Sequence, residues 1–249
     1  MAYSSVYRDL RSQLDHTDGH TAHWPILLRQ LLTAEFGRQQ PHLIEYSRTV
    51  SIRRMDSSWE HLEKAEDREA RRLYKTCEDS THSILTIGDE PFLFLGWQWP
   101  NQDSEKGRRA DLVGLNREGG IVVFEAKLGS NGDSPLMAML EGLDYLVHFV
   151  LEANFSQIAA DYETRTRKAS GDRPFPPSIF AATKPSLRAV QDVIVLAPAE
   201  YYTTHTNSGK TSGRGHGWRE FAGKASADPF TLRFRYAETD FTGTTAKWL

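Results

Sequence analysis

The stretch Arg109–Lys127, RADLVGLNREGGIVVFEAK, constrains the fold more than any other part of the chain. Two apolar runs, Ala110–Leu115 and Ile121–Phe124, flank the polar turn Asn116-Arg117-Glu118-Gly119-Gly120, whose Gly pair suits a tight hairpin. Both runs are rich in Val, Ile and Leu, so they predict a buried antiparallel hairpin. Charges fall where a buried strand should have none: Asp111 near the start of the first run, Glu125 and Lys127 at the end of the second. Residues two apart on a strand share a face, so Glu125 and Lys127 project together and the hairpin can bring Asp111 beside them. Two carboxylates and an ammonium at that place suit a magnesium ion, which takes one or two carboxylates, keeps several waters and accepts phosphate oxygens from a substrate. The lysine would hold the attacking water and stabilise charge growing on phosphorus. A strand end with a surface ion pair has the same spacing, so spacing alone leaves both readings open.

Asp111 and the tripeptide Glu125-Ala126-Lys127 resemble the signature of the PD-(D/E)XK nuclease superfamily. The resemblance spans Ser58 to Pro198 and implies a restriction-endonuclease-like α/β fold, with a core of helix, three strands, helix and fourth strand. That core is a mixed sheet flanked by helices, with metal ligands on its second and third strands. Residues 1–57 are then an N-terminal addition and 199–249 a C-terminal loop and edge strand, all within a single domain. Ala110 stands where the family's namesake has Pro. By the same resemblance, Asp111, Glu125 and the carbonyl of Ala126 would hold Mg²⁺, or Mn²⁺ in its place. Lys127 would position water, and a glutamate from the first core helix would complete the catalytic set.

That first helix is expected from a cap at Ser57 or Ser58 to about Cys77. At about 100° per residue, Trp59, Leu62, Ala70, Leu73 and Cys77 fall on one face, with Glu66 in its middle. A carboxylate there is costly to bury alone and needs a cation or a metal, which makes Glu66 the candidate, ahead of Glu69 and Glu63. An arginine-paired structural Glu66 fits the pattern equally well. The opposite face carries Lys64, Arg68, Arg71, Arg72 and Lys75, a stripe that reads first as a solvated face and second as a track for phosphates.

The strand FLFLGWQW follows Glu90-Pro91 and is expected to be the first of the sheet, and QDVIVLA over Gln191–Ala197 the fourth core strand. Arg108 and Arg109, just before Asp111, are candidates for substrate binding. After Lys127, Ser134 fits an N-cap and Pro135 the first helical position. The apolar helix from there to about Phe155 carries Glu141, Tyr145 and His148 at i, i+4, i+7, with Asp144 nearby. Many nucleases of the resembled superfamily have Gln-x-x-x-Tyr facing the substrate on this helix, and here the sequence is Glu141-Gly-Leu-Asp-Tyr145. A glutamate at that place could contact metal but would repel a phosphate. Residues 161–187 read as a charged, Pro-rich loop, and Thr231–Tyr236 as a final edge strand. His16, His20 and His23 imitate a metal cluster, but Asp18-Gly19 breaks the helix that would align them. Gly209-Lys210-Thr211 is no P-loop, because the required earlier Gly is Thr204.

A net charge of −3 restricts any nucleic-acid contact to local basic patches. The one cysteine, Cys77, excludes internal disulfides and suits a reducing cytoplasm. With no run of 18 apolar residues and no signal-peptide core, a cytoplasmic protein without a membrane partner is expected. Three functions are compatible with these features. The first is a Mg²⁺-dependent nuclease hydrolysing phosphodiester bonds, with DNA ahead of RNA as substrate. The alternative is a non-catalytic nucleic-acid-binding or assembly module that retains the nuclease fold. The third is an unrelated α/β binding protein in which the hairpin is a coincidence. No helicase or methyltransferase segment accompanies the site, so such a partner would be a separate protein, and a homodimer is compatible with the chain.

Overall fold

The computed structural model describes residues 65–100, 109–150, 152–169, 174–207, 218 and 232–249. The readings placed on 1–64, on Arg108 and on 208–217 lie outside the described residues. They include the histidine spacing, the helix caps at Ser57 and Ser58, and Trp59, Leu62, Glu63 and Lys64.

Among the described residues, four α-helices and seven strands follow one another as α1 (Ala65–Thr81), β1 (Ile84–Ile87), β2 (Glu90–Pro100), β3 (Arg109–Leu115), β4 (Ile121–Ala126), α2 (Pro135–Phe149), α3 (Glu152–Lys168), β5 (Gln191–Ala197), α4 (Ala199–Asn207), β6 (Leu232–Glu238) and β7 (Thr245–Trp248). Strands β1 to β4 form an antiparallel meander. Strands β4, β5 and β6 run parallel, and β7 returns antiparallel to β6 and parallel to β1.

The ring is therefore a closed, seven-stranded mixed barrel. This corrects the expected restriction-endonuclease-like architecture, an open mixed sheet flanked by helices. Closure rests on two short pairings, Thr86 with Thr245 and Ile87 with Ala246 on one side, Ala237 with Trp248 and Glu238 with Lys247 on the other. The segment expected to be a final edge strand is β6, which is internal. Its alternation misleads because Arg233 and Arg235 do not face water freely. Both arginines reach the fully buried Asp192 of β5, Arg233 at 2.9 Å and Arg235 at 3.1 Å, while the Arg235 guanidinium lies 3.9 Å from the Trp248 ring. Among the described residues the first strand is Ile84–Ile87, one earlier than expected, and the helix begun at Pro135 stops at Phe149 before α3 starts. The start of the expected 161–187 loop, as far as Lys168, is the end of α3.

Each face of the sheet is buried. The helices α2, α3 and α4 cover one face with Val113, Leu115, Val123, Val193 and Phe234. The other carries α1, whose Ala70, Leu73, Tyr74 and Cys77 meet Leu112, Phe124, Ile194 and Leu196. Burial on both sides explains the continuous apolar runs of β4 and β5. The β3–β4 turn is held by Asn116, whose Oδ1 accepts from the N–H groups of Glu118 and Gly120 at 3.1 and 2.9 Å. Gly119 occupies φ +91°, which a side chain tolerates poorly. Helix α2 starts as expected, with Ser134 Oγ accepting from Met137 N at 3.3 Å and Pro135 beside the cap. Among the described residues no helix is long and apolar enough to cross a membrane.

Closure gives a direct expectation. Trp248 packs edge-on against Phe92, 6.0 Å between ring centroids, and under Arg235. Trp248→Ala should cost about 2 kcal/mol, less than a fully buried aromatic because the ring is only half covered. Urea unfolding checks it, and an unchanged midpoint would mean that β7 does not close the sheet.

Candidate active site

Strand pairing brings the charged residues of the hairpin together. The β3–β4 register ends at Leu112 with Phe124. One step further sets Asp111 opposite Glu125, on the face covered by α2, where opposed residues stand about 5 Å apart at Cβ. Instead of continuing the ladder, Asp111 Oδ2 accepts the Ala126 N–H at 2.8 Å. Lys127, two residues beyond Glu125, points the same way and its Nζ donates to Glu125 Oε1 at 2.9 Å. The same ammonium reaches Glu141 Oε2 of α2 at 2.9 Å. Helix α2 comes this close because residue 142 is glycine, and a Cβ there would meet Val193 Cγ1 at 2.6 Å.

Asp111, Glu125 and Lys127 are 8%, 5% and 4% exposed. Burial pushes the Asp111 carboxyl up to about 7 against the pull of Lys127 and the Ala126 N–H, and the neighbouring Asp67 and Glu66 push it further. Burial also holds the Glu125 carboxyl well above its ordinary range, with the charges of Asp111 and Glu141 adding to it and Lys127 opposing. For Lys127, burial acts to lower the ammonium, but Glu125, Glu141, Asp111 and Glu66 together outweigh it and hold it well above the usual value. Lys127 therefore stays cationic at any physiological pH. Glu125 Oε2 is buried and has no hydrogen-bond partner among the described residues.

Helix α1 supplies more acid from the rim. Glu66, half buried, accepts from the side-chain amide of Asn131 in the β4–α2 loop, not from an arginine. Asp67 Oδ1 accepts from Gln98 Nε2 of β2 at 3.0 Å, and the same nitrogen lies 3.4 Å from Asp111 Oδ1. The β4–α2 loop is in turn braced by α4, where Tyr201 donates its hydroxyl to Asp133 O at 2.7 Å.

Of the residues singled out from the sequence, Asp111, Glu125, Ala126, Lys127, Glu141 and Glu66 converge. Tyr145 lies one turn beyond Glu141, buried in the packing of α2. Arg109 opens β3 opposite Pro100. Glu69 turns away from the site to pair with Arg72. The stripe of α1 loses Arg71, which is buried with its guanidinium 3.8 Å from the Trp97 ring, while Lys75 pairs with Asp79 at 2.8 Å. Sequence reasoning missed Asp67, Gln98 and Asn131. The available signal was Gln98, a polar residue inside an aromatic strand, two strands from Glu125 in the same row.

No family model, curated protein or solved structure matches the chain.

The residues fit a hard divalent cation. Mg²⁺ needs few protein ligands, all oxygen, and the unpartnered Glu125 Oε2 beside Asp111 supplies anionic oxygens where burial makes a bare charge costly. Among the described residues no group of three or more His, Cys, Asp or Glu could hold a metal by itself, so backbone oxygen and water would complete such a sphere.

The raised carboxyls make stability depend on pH. A carboxyl at about 7 in the fold and near 4 when unfolded stabilises the fold below about pH 4, and that contribution is lost as pH rises toward 7. Metal-free protein should therefore melt progressively lower between about pH 4 and 7. Asp111→Asn should flatten that slope and raise stability near pH 8 by on the order of a few kcal/mol. Melting curves across pH for both proteins check it, and parallel slopes would contradict it.

Proposed function

We propose that the chain is a metal-dependent nuclease that hydrolyses phosphodiester bonds, DNA ahead of RNA. The observation that carries the reading is the buried row of Asp111, Glu125 and Lys127 on one face, with one Glu125 oxygen unpartnered. A structural ion pair has no use for that oxygen, or for a second buried acid set against the first.

Asp111, Glu125 and the Ala126 carbonyl would hold Mg²⁺ or Mn²⁺. When bound, such an ion supplies Lewis-acid polarisation of the scissile phosphoryl group and offsets the acid around it. Without a cation, Glu66, Asp67, Asp111, Glu125 and Glu141 together would repel a phosphodiester, since only Lys127 among the described site residues opposes them. Lys127 is held as an ammonium by Glu125 and Glu141. It cannot then take a proton from water, and its part is to donate hydrogen bonds that orient the attacking water and to stabilise charge growing on the phosphoryl oxygens. Asp111 and Glu125 are immobile acceptors, fixed by strand pairing and by the close approach of α2 at Gly142.

The double engagement of Lys127 also favours the second reading, a nucleic-acid-binding module without turnover, because both carboxylates compete with a substrate for the ammonium. One assay separates the two. Linear, circular, single-stranded and double-stranded DNA are incubated with Mg²⁺ or Mn²⁺ beside Lys127→Ala. Cleavage that needs the metal and falls by about 100-fold or more in the variant supports the nuclease. Retention of DNA with no cleavage of any substrate supports the binding module.

A further inference from the structure

Gln98 stands in the interior of β2 with φ +51°, in the left-handed region that non-glycine residues avoid. A strand gives no local reason for this conformation, so something else must offset its cost. The β2–β3 ladder is interrupted twice, by a register shift between Phe94 and Gly96 and again at Gln98. Trp97 pairs with Leu112 and Trp99 with Ala110, and the position between them, Gln98 opposite Asp111, is skipped. Backbone pairing is given up at the one residue that faces the acid.

The gain is in the side chain. A primary amide carries two N–H donors, and Gln98 Nε2 faces two carboxylates, Asp67 Oδ1 at 3.0 Å and Asp111 Oδ1 at 3.4 Å. The other oxygen of Asp111 is held by the Ala126 N–H at 2.8 Å. The Asp111 carboxylate is thus gripped from the strands on both sides, which sets its rotation toward Glu125. Asp67, from the first turn of α1, is tied to the same amide, so one residue registers the helix end against the sheet at the site.

We propose that Gln98 is a positioning residue for the cation site, its strained backbone aiming one amide so that Asp111 faces Glu125 ready to share a divalent ion. The proposal rests on the nuclease reading above. It assigns Gln98 no contact with substrate, and its effect is exerted through Asp111.

Two substitutions separate the amide from the strain. Gln98→Gly removes the amide and relaxes φ, whereas Gln98→Ala removes the amide and keeps the strain. Mn²⁺ binding is read from the electron paramagnetic resonance signal of the free ion, and melting is followed without metal. Both variants should bind Mn²⁺ about 10–100-fold more weakly than the parent. Gln98→Gly should nevertheless melt at or above the parent temperature and clearly above Gln98→Ala. Parent-like Mn²⁺ affinity in Gln98→Gly would overturn the positioning role and leave the nuclease reading standing, with Gln98 a tie between α1 and the sheet. A parent protein that does not bind Mn²⁺ would remove the nuclease reading and this proposal with it.

Discussion

Two carboxylates set opposite each other on adjacent buried strands repel, and everything around Asp111 and Glu125 answers to that repulsion. Lys127 stands beside them as the one described cation of the site, the Ala126 N–H and the Gln98 amide turn toward Asp111, and α2 closes over the group through the missing side chain at Gly142. The compensation is partial. Both carboxyls remain raised by burial, and one oxygen of Glu125 has no hydrogen-bond partner among the described residues. A fold selected for stability alone would replace such a pair with apolar residues of similar volume, commonly at no loss.

Asp192 provides an internal comparison. It is also a buried acid, on the neighbouring strand β5, at the end away from the site. There both carboxylate oxygens are paired, by Arg233 through two nitrogens at 2.9 Å, and Asn116 adds a bond at 2.8 Å. The same sheet thus carries one buried acid fully satisfied and another left open. The satisfied one ties β5 to β6 and helps to bring β7 into the ring. The open one sits where β4 and β5 end, the usual place for a ligand beside parallel strands.

The hairpin and the charged row were legible in the sequence because their information is local. Asp111, Glu125 and Lys127 lie on two strands joined by a five-residue polar turn, and alternation along a strand decides which side chains share a face. Barrel closure was not legible, because it depends on β1 and β7, four residues each, paired through two positions across most of the chain. Strands that short carry almost no periodic signal. The arginines of β6 misdirected the reading further, since a charge drawn inward to a buried acid looks in sequence like a charge facing water. Glu66 could be placed near the sheet from its helix face, but its partner Asn131 lies in a loop that no periodicity addresses. Gln98 was visible as a polar residue among aromatics, while its backbone conformation and its two acidic partners emerge only from the register.

The proposed nuclease requires Asp111 and Glu125 to hold one divalent cation between them. Anomalous diffraction from crystals soaked in Mn²⁺ tests it most directly, because the signal locates the metal without reference to activity. A shared cation gives an anomalous peak within coordination distance, about 2.2 Å, of an oxygen from each of Asp111 and Glu125. Well-ordered crystals that show no peak there, or show manganese only at surface carboxylates, would contradict it.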